Sequence, residues 1–171
     1  MAKPKPVNVE LISVYESDGV TLTEPYRILD AIRNKHHLHL SEANIALMWR
    51  KRWREDKDNR LVLGKARLRS DAAKEFAEYD LEILLNMEAW HEMDNHKRCA
   101  LMHHELTHFE VSKDKDGEIK RDEKDRVVYR IRGHDLEEFR STVEEFGIYK
   151  SDIEAFVESA LKAKEGKEDA A

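Results

Sequence analysis

The spacing of apolar positions changes period several times along the chain, and each change predicts an element. Residues 25–35 read as a helix, and so do residues 41–54, where Ser41 offers an N-cap and Ile45, Trp49 and Trp53 recur every fourth residue. Two predicted strands follow. In 60–69 the run Leu61-Val62-Leu63-Gly64 gives way to alternation, and 80–87 alternates around Leu81, Ile83, Leu85 and Met87, with a short helix expected between them. Asp94 caps a predicted helix over 94–109, on which Cys99, Met102, Leu106 and Phe109 form one stripe at spacings of three and four. Lys115-Asp116-Gly117 marks a turn and 127–132 alternates like a strand, so a charged hairpin is expected there. Leu136, Phe139, Val143 and Phe146 then trace a helix closed by Gly147. Ser151-Asp152-Ile153-Glu154 is a capping box that opens a last helix, with Ile153, Phe156, Val157, Ala160 and Leu161 expected to be buried. These elements divide a single domain, 1–171, into a loose leader 1–8, an N-terminal helical layer 9–58, a core 59–149, a C-terminal helix 150–161 and a disordered tail 162–171.

Composition narrows the class. The 171 residues are 40% hydrophobic, enough for one core, and 39% charged, which leaves a very polar surface. Cys99 is the single cysteine, which excludes a disulfide framework and a thiolate zinc site, and a reducing compartment is the natural setting. No apolar run follows the charges of the opening residues and none approaches the roughly 18 residues of a membrane span, so a cytoplasmic protein without a membrane partner is expected. The net charge of −6 argues against general nucleic-acid affinity, but residues 49–69, from Trp49 to Arg69, hold nine Lys or Arg against three Asp or Glu. With Trp49 and Trp53 interleaved, that segment is a candidate grip on single-stranded nucleic acid. The competing reading has both tryptophans packed inward and the basic residues solvated.

The chemistry concentrates in His104-Glu105-Leu106-Thr107-His108. Histidines four apart stand about 40° apart around a helix axis and one turn apart along it, so both imidazoles can address one metal ion. The apolar stripe lies on the opposite side of the wheel, so one face anchors the helix while the other lines a cleft. Glu105 projects between the faces, where a carboxylate can take a proton from water as that water attacks a carbonyl. A catalytic zinc site needs three protein ligands and one open position, so the third ligand is sought downstream. His134 is favoured, because it follows Gly133 at a predicted helix start; Glu137 and Glu138 are the alternatives. Tyr129 and Tyr149 are unranked candidates for an oxyanion helper.

These residues resemble the phage metallopeptidase domain family, itself similar to the SprT-like and other minimal zincin proteases. The resemblance rests on Leu63-Gly64-Lys65-Ala66, the strand at 79–86, His103-His104-Glu105-Leu106-Thr107-His108 and Gly133-His134-Asp135-Leu136-Glu137-Glu138-Phe139, and covers about residues 60–147. It implies one zinc per chain bound by His104, His108 and His134, with Glu105 catalytic. It further implies a protein or peptide substrate lying extended along a cleft edge formed by the strand around Leu81 and Met87. A phage-encoded chain would act in the host cytoplasm. The expected fold is α+β: a zincin-like minimal metalloprotease core, with a small sheet packed on the clamp helix and additional N- and C-terminal helices. The competing class is a non-catalytic or regulatory interaction protein on the same scaffold. A closed, structural coordination sphere would favour that class, and an open position the hydrolase.

Other signals have blander readings. Asp114, Asp116, Gly117, Ile119 and Glu123 fall where an EF-hand loop would put them, but Ser112 opens the segment and a strand follows where a helix is required, so no calcium site is expected. His36, His37 and His39 read as a surface loop, and His91, His96 and His103 share that bland reading, with the cleft rim as the alternative for His103; Cys99 is placed in the core.

Overall fold

A computed structural model describes residues 8–57, 59–69 and 79–168. The chain divides into two compact units, 1–132 and 133–171. The first contains strands β1 (Val9–Leu11), β2 (Ile45–Arg50), β3 (Gly64–Leu68), β4 (Leu81–Asn86), β5 (Phe109–Val111) and β6 (Tyr129–Ile131). Among the described residues its helices are α1 (Glu24–His36), α2 (Met87–Glu92) and α3 (Asn95–Thr107), with a 3-10 turn at Leu38–Leu40. The second holds α4 (Arg140–Phe146) and α5 (Ser151–Glu168). This is the expected mixture of helices and a small sheet. Among the described residues no helix is long and apolar enough to cross a membrane.

The four-stranded sheet has the order β1-β2-β4-β3. Its central pair, β2 and β4, is parallel and in register from Ile45 opposite Leu81 to Arg50 opposite Asn86, and both outer pairs are antiparallel. Leu47, Leu81, Ile83 and Leu85 are fully buried in it, and Met102, Leu106 and Phe109 bring α3 and β5 to the same core. Helix α1 joins this layer through Tyr26, whose hydroxyl accepts from the Leu47 N–H at 3.1 Å, and through Glu24, which pairs with Arg98 of α3 at 2.7 Å. The expected stripe on α3 is therefore the core face, with Cys99 half-buried against it.

Three expectations are corrected in this unit. Residues 41–54 are not a helix: Ile45-Ala46-Leu47-Met48-Trp49 is an unbroken apolar run, and its first three members are buried. A strand flanked by neighbours on both sides and covered on both faces reads in this way, and a spacing of four satisfies period two as well as period 3.6. Segment 9–58 is accordingly two strands and a helix. Strand β4 is not a cleft edge either, since it is hydrogen-bonded on both sides; β1 and β3 are the terminal strands. The helix expected between β3 and β4 lies outside the described residues. The charged excursion does form a hairpin, with β5 paired to β6 and bridges at Lys113–Ile119 and Arg121–Val127. Gly117 sits at its tip with φ +87°, a conformation that favours glycine.

In the second unit, α4 begins at Arg140 and not near His134. Glu138 explains the delay: its carboxylate accepts from the Phe139 N–H, the Tyr149 hydroxyl and the Lys150 ammonium, a local set of bonds that competes with helix formation. The expected buried stripes are corrected too. Phe139 and Phe146 are about three-quarters exposed, and on α5 Phe156 and Leu161 are more than half exposed while Ile153 is buried. Nor do residues 162–168 form a disordered tail. Helix α5 continues to Glu168, on a sequence rich in the strong helix formers Ala, Lys and Glu.

Candidate metal centre

Helix α3 is started by Asp94, whose side chain accepts from the Lys97 N–H at 2.8 Å. At its other end the chain passes directly from His108, the C-cap, into β5 at Phe109. His104 and His108 therefore occupy the last turn of a helix whose opposite side is locked into the core, as the wheel predicts.

Their rings converge. The Nε2 atoms of His104 and His108 are 3.3 Å apart, with ring centroids separated by 4.9 Å. Two nitrogens bonded at about 2.0–2.1 Å to one tetrahedral ion would be separated by roughly 3.3 Å, so the pair already spans one edge of such a polyhedron. The second ring nitrogen of His108 is committed elsewhere: Nδ1–H donates to the Arg132 carbonyl at 2.8 Å, while the Arg132 N–H donates to the His108 carbonyl at 2.7 Å. Arg132 thus fixes ring orientation and tautomer together, leaving the lone pair on the nitrogen that faces His104. The donor set and geometry fit a divalent, nitrogen-preferring cation.

Glu105 lies on the flank of the clamp and is only 3% exposed. The Ala66 N–H of β3 donates to its carboxylate, and Oε2 is buried without a protein partner. Burial pushes the carboxyl up to about 7, opposed by the neighbouring His108 and by the Ala66 bond. A carboxyl poised near neutrality, with one oxygen unsatisfied, can hold or release a proton in the range where hydrolysis runs.

The remaining expected residues are distributed as follows. His134 is exposed and follows Arg132 by two residues, so the chain alone keeps its Cα within roughly 7.6 Å of the Arg132 Cα. Glu138 is engaged with Lys150 and Tyr149, which hold it down to about 2; Glu137 is exposed. Tyr129 is buried and pushed up to about 12, first by burial and then by Asp80 and Glu42, so its electrostatic neighbours are not the clamp. Tyr149 gives its hydroxyl proton to Glu138.

Of the histidines expected on a surface loop at 36–39, His36 and His39 are exposed but His37 is not. His37 is buried and shares a hydrogen bond of 2.8 Å with His103 of α3; His36 lies against His103 and His39 against His37. The Nε2–H of His39 donates to the Phe109 carbonyl at 3.0 Å. No local signal marks this array, because its bonds join residues about 66 apart in sequence. In the basic segment, Trp49 packs on Trp90, Lys51 pairs with Glu10 and Arg69 with Glu82, and nothing here supports a nucleic-acid contact.

No curated protein and no solved structure matches the chain. A family model matches residues 20–161, a span that begins ahead of α1 and takes in the central pair of the sheet, the clamp helix and most of the second unit, well beyond the landmarks at 60–147. On that match the chain belongs to the family described as Putative phage metallopeptidase.

Proposed function

We propose that this chain is a zinc-dependent peptidase of the zincin type, binding one zinc through His104, His108 and His134 and using Glu105 as its general base. The observation that carries this reading is the 3.3 Å separation of the His104 and His108 Nε2 atoms, with His108 locked by Arg132. His104, His108 and His134 are three imidazoles that could hold one metal ion. Three nitrogen ligands leave a fourth position open, as a catalytic site requires and a structural one does not. Bound there, zinc supplies Lewis acidity toward a scissile carbonyl and toward water.

The chain's own part follows from its geometry. Glu105 accepts a proton from the attacking water on its unpartnered oxygen, and burial raises the proton affinity of the carboxylate enough for the resulting acid to hold that proton until the leaving amine takes it. Ala66 keeps the other side of the carboxylate in place. An extended peptide would lie along β3, the one of the two terminal strands that meets Glu105.

Elemental analysis of untagged protein tests the reading. About one zinc per chain is expected in the wild type, lost in His104→Ala and in His134→Ala, with Glu105→Gln keeping its zinc and losing cleavage of a casein probe. A wild type without zinc would sink the peptidase. Loss in His104→Ala alone would move the third ligand to Glu137 or Glu138.

A further inference from the structure

We infer that Gly64 is a positioning residue for Glu105: the bare backbone at this point of β3 makes the space in which the carboxylate lies. The inference rests on Glu105 being the base. A Cβ built at residue 64 overlaps Oε1 of Glu105 and stands 2.8 Å from its Cδ and 3.0 Å from its Cγ, closer than folded proteins tolerate. Gly64 is not among the residues with positive φ, so what the position demands is room and not a left-handed backbone.

The backbone on neither side of the contact can retreat, so the carboxylate itself would have to move. Gly64 is paired with Leu85 of β4, and the adjacent Leu63 carbonyl accepts from the Asn86 N–H at 2.9 Å, so the strand is pinned from its inner side. Glu105 stands between Met102 and Leu106, both fully buried, so α3 cannot shift without opening the core. The carboxylate is also tied to the strand itself, by Ala66 two residues along. Leu63 and Arg69 direct their main-chain bonds to β4, and with that alternation the even-numbered Ala66 turns its N–H away from β4, where Glu105 meets it. A methyl group at 64 would displace the carboxylate from Ala66 and re-aim the unpartnered Oε2, without entering the imidazole pair.

The test is Gly64→Ala in full-length protein, alone and combined with Glu105→Ala. Zinc content should stay at the wild-type level, while kcat on a quenched fluorescent peptide falls by about 100-fold with KM little changed. In metal-free protein, Gly64→Ala should lower Tm by several degrees. In the Glu105→Ala background the same substitution should leave Tm unchanged or raise it, because the overlap is gone and a flexible glycine has been removed. Equal Tm losses in both backgrounds, or wild-type kcat in Gly64→Ala, would overturn the inference. If the wild type cleaves no peptide, the peptidase reading fails while the Tm cycle still decides the contact. If Gly64→Ala alone does not fold, a folded double variant supports the inference and an unfolded one overturns it.

Discussion

Two groups of imidazoles sit on and around one helix, and they solve opposite problems. His103 and His37 are 2.8 Å apart, a hydrogen-bond length, with His37 buried and pushed down to about 4 by its burial and then by His103, His39 and His36. His104 and His108, one residue and five further along than His103, are 3.3 Å apart, with His104 exposed and the remaining proton of His108 drawn off by Arg132. The first group closes on a buried hydrogen bond; the second brings two ring nitrogens to within 3.3 Å of each other at the end of the helix. Counting histidines would have ranked 36–39 with the clamp. What separates them is which nitrogen is already spoken for, and by what.

The largest expected effect breaks this contrast from the metal side. His104→Ala and His108→Ala should each abolish zinc retention through dialysis, measured by elemental analysis, whereas His37→Ala should keep the metal. Stability should invert the ranking. His104→Ala should cost little in denaturant unfolding of the metal-free protein, and His37→Ala about 2–4 kcal/mol, through a lost hydrogen bond and a cavity. Zinc loss in His37→Ala with His104→Ala unaffected would reverse the assignment.

Glu105 comes next. Glu105→Gln should lower kcat by about 10²–10⁴-fold with zinc retained. It should also change the pH dependence of metal-free stability. A carboxyl at about 7 when folded and near 4.5 when unfolded keeps its proton in the native state longer, so wild-type stability falls as pH rises from about 4.5 to 7. That loss is about 3 kcal/mol, and the curve for Glu105→Gln should be flatter by that amount over the same window. Parallel curves would show that burial does not raise the carboxyl.

What could be read from the sequence was what is local. Asp94 caps one helix that carries Cys99, Met102 and Leu106 and passes directly into Phe109, and that helix fixes which way His104, Glu105 and His108 face. Strand β4 announced itself by alternation. Strand β2 did not, because burial on both faces erases alternation and leaves a run that a helix could also carry. The features that set the chemistry apart from the fold are longer in range: Arg132 on His108, Ala66 and Gly64 on Glu105, His37 on His103. Leu63-Gly64-Lys65-Ala66 was visible as a landmark, but nothing in its letters says that a helix 40 residues away leans on it.

The His37 array offers a smaller, opposite pH effect. An imidazole at about 4 when folded and near 6.5 when unfolded stays neutral in the native state, so stability falls as pH drops from about 6.5 to 4. The loss should reach about 2–3 kcal/mol, and His37→Gln should remove it. Urea midpoints at pH 7 and pH 4.5 measure the difference; an unchanged acid slope in His37→Gln would place the acid sensitivity elsewhere.

The smallest effect concerns the support the two groups share. Asp94→Ala removes the bond to the Lys97 N–H and leaves that donor to water, loosening the first turn of α3. The expected loss in Tm is about 2–4 °C. Because His103, His104 and His108 lie in the last turns, anchored by His37, the core stripe and Arg132, zinc affinity should stay within about twofold of wild type. A tenfold weakening would mean that fraying at the first turn reaches the clamp, and that the helix holds its histidines as a whole and not through the local bonds that distinguish one group from the other.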